Sequence, residues 1–152
     1  MKTALMVAAL STLSLIALSS AFSGQGQIWQ ADVQIRTLEV TRTRSAITVR
    51  VIVSTEKDDE AKNAHLIVLL PLSVGIDRLG PGCTAMAGPS MLPSLRAAVD
   101  CDLGSIPDKG IREAVVTTTI PPEPVPKRFG VFVYSSTPDP NPGNNYAERT
   151  IQ

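Results

Sequence analysis

The sequence predicts an all-β fold, an antiparallel immunoglobulin-like β-sandwich of about seven strands, preceded by a cleavable signal peptide. Short runs of alternating apolar and polar residues recur along the chain, and turn signals separate them about every 8 to 15 residues. The 12 prolines fall almost entirely between these runs. Beyond the N-terminus, no stretch carries apolar residues at helical spacing for more than a turn or two. A small β-barrel is the alternative for the same pattern.

The N-terminus has the composition of a secretory signal peptide. Lys2 is followed by an uncharged run of about 15 residues, from 4 to 18. This run is shorter than the roughly 20 residues that a membrane-spanning helix needs. Ala21 and Ser23 are small residues at the positions that a signal peptidase reads, so cleavage after Ser23 is predicted, and cleavage after Ala21 fits nearly as well.

The chain is therefore expected to consist of a signal peptide over residues 1–23, a flexible N-terminal tail over 24–30 and a sandwich domain over 31–152. Export predicts a secreted, extracellular or cell-envelope protein, with the periplasm included. Cleavage removes only Lys2 from the charged residues and leaves 13 basic and 14 acidic side chains. This near-neutral balance gives no electrostatic reason to expect nucleic acid or an anionic membrane as a partner.

The first half of the domain contains three predicted strands. Residues 31–40 alternate at first and then change parity, which indicates a bulge or a switch between sheets. Residues 46–54 alternate most regularly. Residues 64–70 are apolar at nearly every position, which is typical of a central strand covered on both faces. The charged residues 56–63 are expected to form a solvated loop.

The second half begins with residues 72–93, which are rich in Gly, Pro and Ser and are expected to form a long irregular segment. Residues 95–103 alternate again, and residues 113–120 form a β-branched strand that ends in prolines. Residues 129–135 and 146–151 are the last two predicted strands, joined by a turn dense in Pro, Asp and Asn.

The two cysteines, Cys83 and Cys101, are expected to form a disulfide. An even number of cysteines in an exported chain favours pairing, and the alternation of residues 95–103 points Cys101 inward. In the chain-entropy description, closing this loop would raise the free energy of unfolding by roughly 3 kcal/mol. Metal binding is the rival interpretation, but the chain has one distant histidine, His65, and no Cys-x-x-Cys spacing.

Six segments of the domain together resemble a known family. They are residues 47–51 (ITVRV), 61–71 (AKNAHLIVLLP), 75–76 (GI), 99–106 (VDCDLGSI), 113–121 (EAVVTTTIP) and 135–146 (SSTPDPNPGNNY). The chain resembles the domain of unknown function eleven, a repeat of bacterial and archaeal surface proteins, which is related to the cell-adhesion-related domain found in bacteria. The resemblance implies an immunoglobulin-like sandwich outside the membrane, with no catalytic residues and with a role in spacing, adhesion or assembly.

The sequence shows no arrangement that points to catalysis. The single histidine, His65, lies within a predicted strand and is interpreted as a satisfied or surface-facing residue. No serine stands in a Gly-x-Ser-x-Gly elbow. Asp100 and Asp102 share the strand face opposite Cys101 and are expected to point to solvent. We therefore predict no catalytic residues, no cofactor and no enzymatic activity.

Asp139, Asn141 and Asn144 are weak candidates for a calcium site, because calcium prefers several oxygen ligands close together. Asp and Asn side chains also form turns by hydrogen bonding to nearby backbone amides. Three prolines stiffen the same segment. A structural turn is the favoured interpretation, and calcium binding is the alternative.

Ile28 and Trp29 stand just ahead of the first strand, and Trp29 is the only tryptophan of the chain. Either Trp29 folds back over one end of the core, or Ile28 and Trp29 contact a neighbouring molecule, for example by strand addition. The predicted function is a non-enzymatic secreted or cell-surface structural or adhesion module that acts through protein–protein contacts, with a protein partner or a second copy. The alternative is a small extracellular ligand- or carbohydrate-binding module that uses Trp29, Tyr134 and Tyr146.

Overall fold

The computed structural model describes residues 29–56, 59–71, 73–86, 97–120 and 126–152. Within them lie nine β-strands and one 3-10 turn (Pro142–Asn144). The strands are β1 (Asp32–Arg42), β2 (Ala46–Glu56), β3 (Ala61–Leu69), β4 (Ile76–Leu79), β5 (Cys83–Met86), β6 (Ala98–Ile106), β7 (Ile111–Thr119), β8 (Lys127–Tyr134) and β9 (Tyr146–Ile151). The predicted signal peptide and Ile28 lie outside the described residues.

The strands form two antiparallel sheets that pack face to face. Sheet I has the order β1-β2-β7-β4, and sheet II has the order β5-β6-β3-β8-β9. The chain passes between the sheets after β2, β3, β4, β6 and β7. The predicted fold class is confirmed. Among the described residues, no helix is long and apolar enough to cross a membrane.

The core lies between the two sheets and follows directly from the alternation of the sequence. Successive side chains of a strand point to opposite faces, so β2 and β8 each contribute every second residue to the interior. Their buried hydrophobic residues are Ile47, Val49, Val51 and Val53 in β2, and Phe129, Val131 and Val133 in β8. Most of these side chains are β-branched, a type that packs well on a pleated sheet.

The change of parity in the first strand is a β-bulge. The pairing of β1 with β2 shifts between Ile35 and Thr37, so Arg36 has no directly opposed residue. The strand continues in sheet I on both sides of this point, so the bulge prediction is confirmed and the alternative of a sheet switch is not observed.

Several boundaries differ from the sequence-based prediction. The segment expected to be irregular contains β4 and β5, and nine strands are present among the described residues instead of about seven. Each of the two extra strands has four residues and pairs with a single neighbour. Four residues are too few for an alternating pattern to be recognised in the sequence. The charged loop is also shorter than expected, because β3 begins at Ala61.

The predicted disulfide is confirmed. Cys83 and Cys101 are directly opposed in β5 and β6, with their Cα atoms 3.9 Å apart. Gly82 makes this close approach of the strands possible, because it has a φ of +74° and a Cβ atom there would lie 2.7 Å from the carbonyl oxygen of Asp102. Both cysteines belong to sheet II, so the disulfide fixes an edge strand to its neighbour and does not connect the two sheets.

Candidate functional site

The outer face of sheet II carries three of the exposed aromatic side chains. Phe132, Tyr134 and Tyr146 are 41%, 40% and 47% exposed. Phe132 and Tyr134 point outward because the residues that alternate with them in β8 fill the core. Tyr146 starts β9, the neighbouring edge strand.

The register of sheet II brings these aromatic side chains together. Phe132 is opposed to Ile67 of β3 on one side and to Tyr146 of β9 on the other, and Tyr134 is opposed to His65. The rings of His65 and Tyr134 have centroids 5.4 Å apart and planes 12° apart. Those of Phe132 and Tyr134 have centroids 6.1 Å apart and planes 21° apart. We call His65, Ile67, Phe132, Tyr134 and Tyr146 the aromatic face.

Tyr146 lies across Gly130, the outward-pointing position of β8 that has no side chain. A Cβ atom on Gly130 would be 3.3 Å from the Tyr146 hydroxyl oxygen and 3.5 Å from a methyl group of Leu69. The Tyr146 hydroxyl donates a hydrogen bond to Glu148, whose carboxylate lies 3.7 Å from Arg128. One side of the aromatic face is therefore bordered by a polar, charged group of side chains.

His65 borders the opposite side and is held by two contacts. Its Nδ1 atom lies 3.0 Å from Oδ1 of Asp100 on β6, and both side chains are 29% exposed. Tyr134 stacks on its ring. A histidine–carboxylate pair alone is not a hydrolytic triad, which also needs a nucleophile held beside the base. The described contacts give His65 the surface-facing position that the sequence indicated.

No group of three or more His, Cys, Asp or Glu side chains among the described residues is arranged to hold a metal ion. The absence of a cofactor and of enzymatic activity both stay predictions.

The residues named as calcium candidates bind to other parts of the chain itself. Asp139 accepts the backbone amide of Asn141 at 2.7 Å and that of Val33 at 3.1 Å. The Asn144 amide group donates to Oδ1 of Asp32 at 2.8 Å. The side-chain oxygens of Asn144 and Asn145 are buried without a partner among the described residues. These bonds join the last turn to β1, and calcium binding stays the alternative prediction.

Trp29 lines a pocket at one end of the sandwich. The pocket has a volume of about 370 Å³ and lies where β3 begins and where the chain leaves β8. We call it the end pocket, and its lining residues are Trp29, Asp59, Glu60, Lys62, Ser136, Thr137 and Pro138. Trp29 is 64% exposed. It therefore does not cover the end of the core, although one of the two interpretations of its position expected that it would.

Hydrogen bonds between two loops hold the wall of the end pocket. The Thr137 hydroxyl donates to the carbonyl oxygen of Glu60 at 2.9 Å and accepts the backbone amide of Lys62 at 3.0 Å. The carbonyl oxygen of Lys62 accepts both the amide and the hydroxyl of Ser136, at 2.8 and 2.9 Å. Nearby, Asp59 accepts the backbone amide of Gln30 at 2.7 Å. Gln30, which follows Trp29, is thus joined to Asp59, and Glu60 and Lys62 are joined to the loop at Ser136 and Thr137.

The structure separates the aromatic residues that the sequence grouped as one possible platform. Tyr134 and Tyr146 lie on the aromatic face, whereas Trp29 lines the end pocket. Alternation in β8 could place Phe132 and Tyr134 on one side. It could not place His65 beside them, because β3 is distant from β8 in sequence. It could not place Tyr146 opposite Phe132 either, because alternation does not fix the register of β9 against β8.

These features define the class of protein as a disulfide-containing, immunoglobulin-like β-sandwich. No protein-family model and no curated protein matches the chain, so the resemblance to the domain of unknown function eleven stays a prediction. Among solved structures, the chain is similar to the cohesin module from the family 33 glycoside hydrolase of Clostridium perfringens ATCC13124. The TM-score is 0.44 and the identity 14%, over 82% of this chain and 96% of that one.

A second solved structure, the GH20 exo-β-N-acetylglucosaminidase of Vibrio harveyi with N-acetylglucosamine, gives a TM-score of 0.32 and an identity of 7%. That similarity covers 82% of this chain and 18% of the enzyme.

Proposed function

We propose that this chain is a non-enzymatic, exported module that binds another protein through the aromatic face. The observation that carries the proposal is the exposed and mutually stacked group of His65, Tyr134 and Phe132 on the outer side of sheet II. Antiparallel sheets usually turn polar residues to solvent on the face away from the core. A cluster of large apolar side chains on that face is typical of an interaction surface.

The stacking favours a protein as the partner. Tyr134 has one neighbouring ring in His65 and another in Phe132, with nearly parallel planes. Its ring faces are therefore partly covered within the protein, and the group offers mainly ring edges and aliphatic atoms to a partner. Tyrosine and phenylalanine are enriched at protein interfaces, and tyrosine provides a large contact area at a low cost in side-chain entropy.

The surroundings of the aromatic face resemble those of an interface with a polar rim. Asp100 binds His65 on one side, and Glu148 binds Tyr146 on the other. These hydrogen bonds restrict the side chains before a partner arrives, which reduces the ordering cost of association. Charged groups at a rim contribute to specificity and to the rate of association more than to affinity.

An exported location agrees with the disulfide, because disulfides persist in oxidising compartments. The proposal therefore places the protein outside the cytoplasm, in the cell envelope, on the surface or in the medium. Membership of the surface-protein family that the sequence resembles would assign the same adhesive or assembly role.

Binding to intact cells tests this function. Labelled protein without residues 1–23 is added to cells of the source organism, before and after their surface proteins are digested with a protease. We expect saturable binding that digestion abolishes. Light scattering over a wide concentration range reports association of the protein with itself. A protein that stays monomeric at high concentration and binds no cell surface would contradict the proposal.

A further inference from the structure

We propose that the end pocket is a carbohydrate-binding site that holds one pyranose ring against Trp29. The site shares no residue with the aromatic face, so this inference goes beyond the protein contact proposed above and does not depend on it. It assigns a ligand class to a cavity that the proposed adhesive function leaves unused.

The size of the end pocket and the exposure of Trp29 suit a single sugar ring. Its volume of about 370 Å³ lies at the lower end of the roughly 300–1,000 Å³ that small-molecule sites occupy. Trp29 is 64% exposed, so one part of its indole ring is available to a ligand. The C–H groups on one face of a pyranose form an apolar patch that packs against such a ring.

The charged groups of the end pocket select among ligand classes. Asp59 and Glu60 provide carboxylate acceptors, and Lys62 provides an ammonium donor. Asp59 uses one oxygen for the amide of Gln30. No ion pair among the described residues involves Glu60 or Lys62. Both a set of acceptors and a strong donor are therefore available beside the indole ring.

A polyhydroxylated neutral ligand fits this combination best, because each hydroxyl group can both donate and accept a hydrogen bond. A cationic side chain would approach Lys62, and an anion would approach two carboxylates. A purely apolar group would remove three charged side chains from water without giving them a partner. Vicinal hydroxyl groups next to an apolar C–H face satisfy the carboxylates, the ammonium group and the indole together.

The wall of the end pocket is already held in place. Thr137 binds the backbone at Glu60 and Lys62, and the carbonyl oxygen of Pro138 accepts the amide of Ala31 at 3.1 Å. The second bond fixes the chain two residues after Trp29 to the same loop that forms the wall. A site that is ordered before the ligand arrives loses less conformational entropy on binding.

The fluorescence of Trp29 tests the proposal, because Trp29 is the only tryptophan of the chain. The probes are the methyl pyranosides of glucose, galactose, mannose and N-acetylglucosamine, and β-linked disaccharides of the same sugars. At least one probe is expected to shift the emission in a saturable manner.

Glu60→Gln is expected to weaken that binding about three- to thirtyfold, as loss of a charge-assisted hydrogen bond would. Glu39→Gln, an exposed glutamate on β1, is the matched control and is expected to bind like the unmodified protein.

Saturation-transfer NMR on the sugar provides a second readout for variants that lack the tryptophan. Transfer is expected to disappear with Trp29→Ala and to persist with Ile111→Ala, a change of an exposed apolar residue on β7, while circular dichroism confirms that both variants are folded. The proposal is overturned if no sugar shifts the emission at millimolar concentration. It is equally overturned if transfer survives Trp29→Ala, since the sugar then binds elsewhere. Neither result affects the cell-binding test of the aromatic face.

Discussion

Thr137 holds the last loop to the start of β3 through one buried hydroxyl group. This hydroxyl donates to the carbonyl oxygen of Glu60 and accepts the amide of Lys62. Thr137→Val keeps the shape of the side chain and removes both hydrogen bonds. We expect the free energy of unfolding to fall by roughly 1–2 kcal/mol, measured by urea denaturation. Thr41→Val, at an exposed position of β1, is the control, and an equal effect of the two changes would contradict this role of Thr137.

Asp139 connects the last turn to β1. Its two carboxylate oxygens accept the amides of Asn141 and Val33, as expected of an aspartate that initiates a turn. We predict that the melting temperature is the same in excess EGTA and in millimolar calcium, measured by calorimetry. Because a ligand that binds only the folded state raises its stability, a calcium-dependent increase would establish the calcium alternative.

At the scale of single elements, β5 depends on its covalent connection to β6. It has four residues, pairs with one strand and has three exposed positions. The disulfide spans 18 residues, for which the chain-entropy description gives about 3 kcal/mol. We expect the free energy of unfolding of the double variant, Cys83→Ala with Cys101→Ala, to be lower by about this amount in urea denaturation. The unmodified protein should lose about the same when it is reduced, and unchanged midpoints in both experiments would contradict the expectation.

Sheet I carries a cross-strand charge network on its outer face. The Arg50 guanidinium donates to Glu113 at 2.7 and 3.3 Å and lies 3.6 Å from Glu39. The hydrogen bond from Arg50 holds the pKa of the Glu113 carboxyl below its usual range, and partial desolvation opposes this effect. Because the pKa is lower in the folded state, the associated stabilisation is present at neutral pH and disappears as the pH falls through the folded-state pKa.

Arg50→Met therefore raises the pKa of Glu113 towards the ordinary glutamate value. NMR titration of the side-chain carboxyl carbon measures this pKa in both proteins. A midpoint that does not move would show that the hydrogen bond seen between these exposed side chains does not persist in solution.

The long strands were predictable from the sequence, and their partners and the short strands were not. β2 alternates from Ala46 to Val53, and β8 turns Phe129, Val131 and Val133 inward, so the existence and the inward faces of both strands were predicted correctly. β3 was expected to be covered on both faces. Its outward residues Ile67 and Leu69 are only half-buried, because no further layer covers sheet II among the described residues. An apolar run indicates a strand but does not say what covers it.

At the scale of the whole molecule, the candidate surfaces arise from contacts that a single sequence does not encode. The aromatic face joins three strands, and the pairing of β3 with β8 brings together residues more than 60 positions apart. The end pocket joins the tail at Trp29 to two loops through backbone hydrogen bonds. The sequence indicated Trp29 as a contact residue because it is large, apolar and placed ahead of the first strand. It gave no indication of the pocket beside it.

The binding of paired variants to intact cells tests the central claim most directly. Phe132→Ser with Tyr134→Ser removes two exposed rings of the aromatic face, and Ile52→Ser with Val115→Ser removes two half-buried apolar side chains from the outer face of sheet I. Truncation of an interface aromatic residue can cost about 2 kcal/mol, or roughly thirtyfold in affinity. We predict that the first pair weakens cell binding at least thirtyfold and that the second leaves it unchanged, with both proteins folded by circular dichroism. Equal binding by the two pairs would contradict the assignment of the aromatic face as the contact surface.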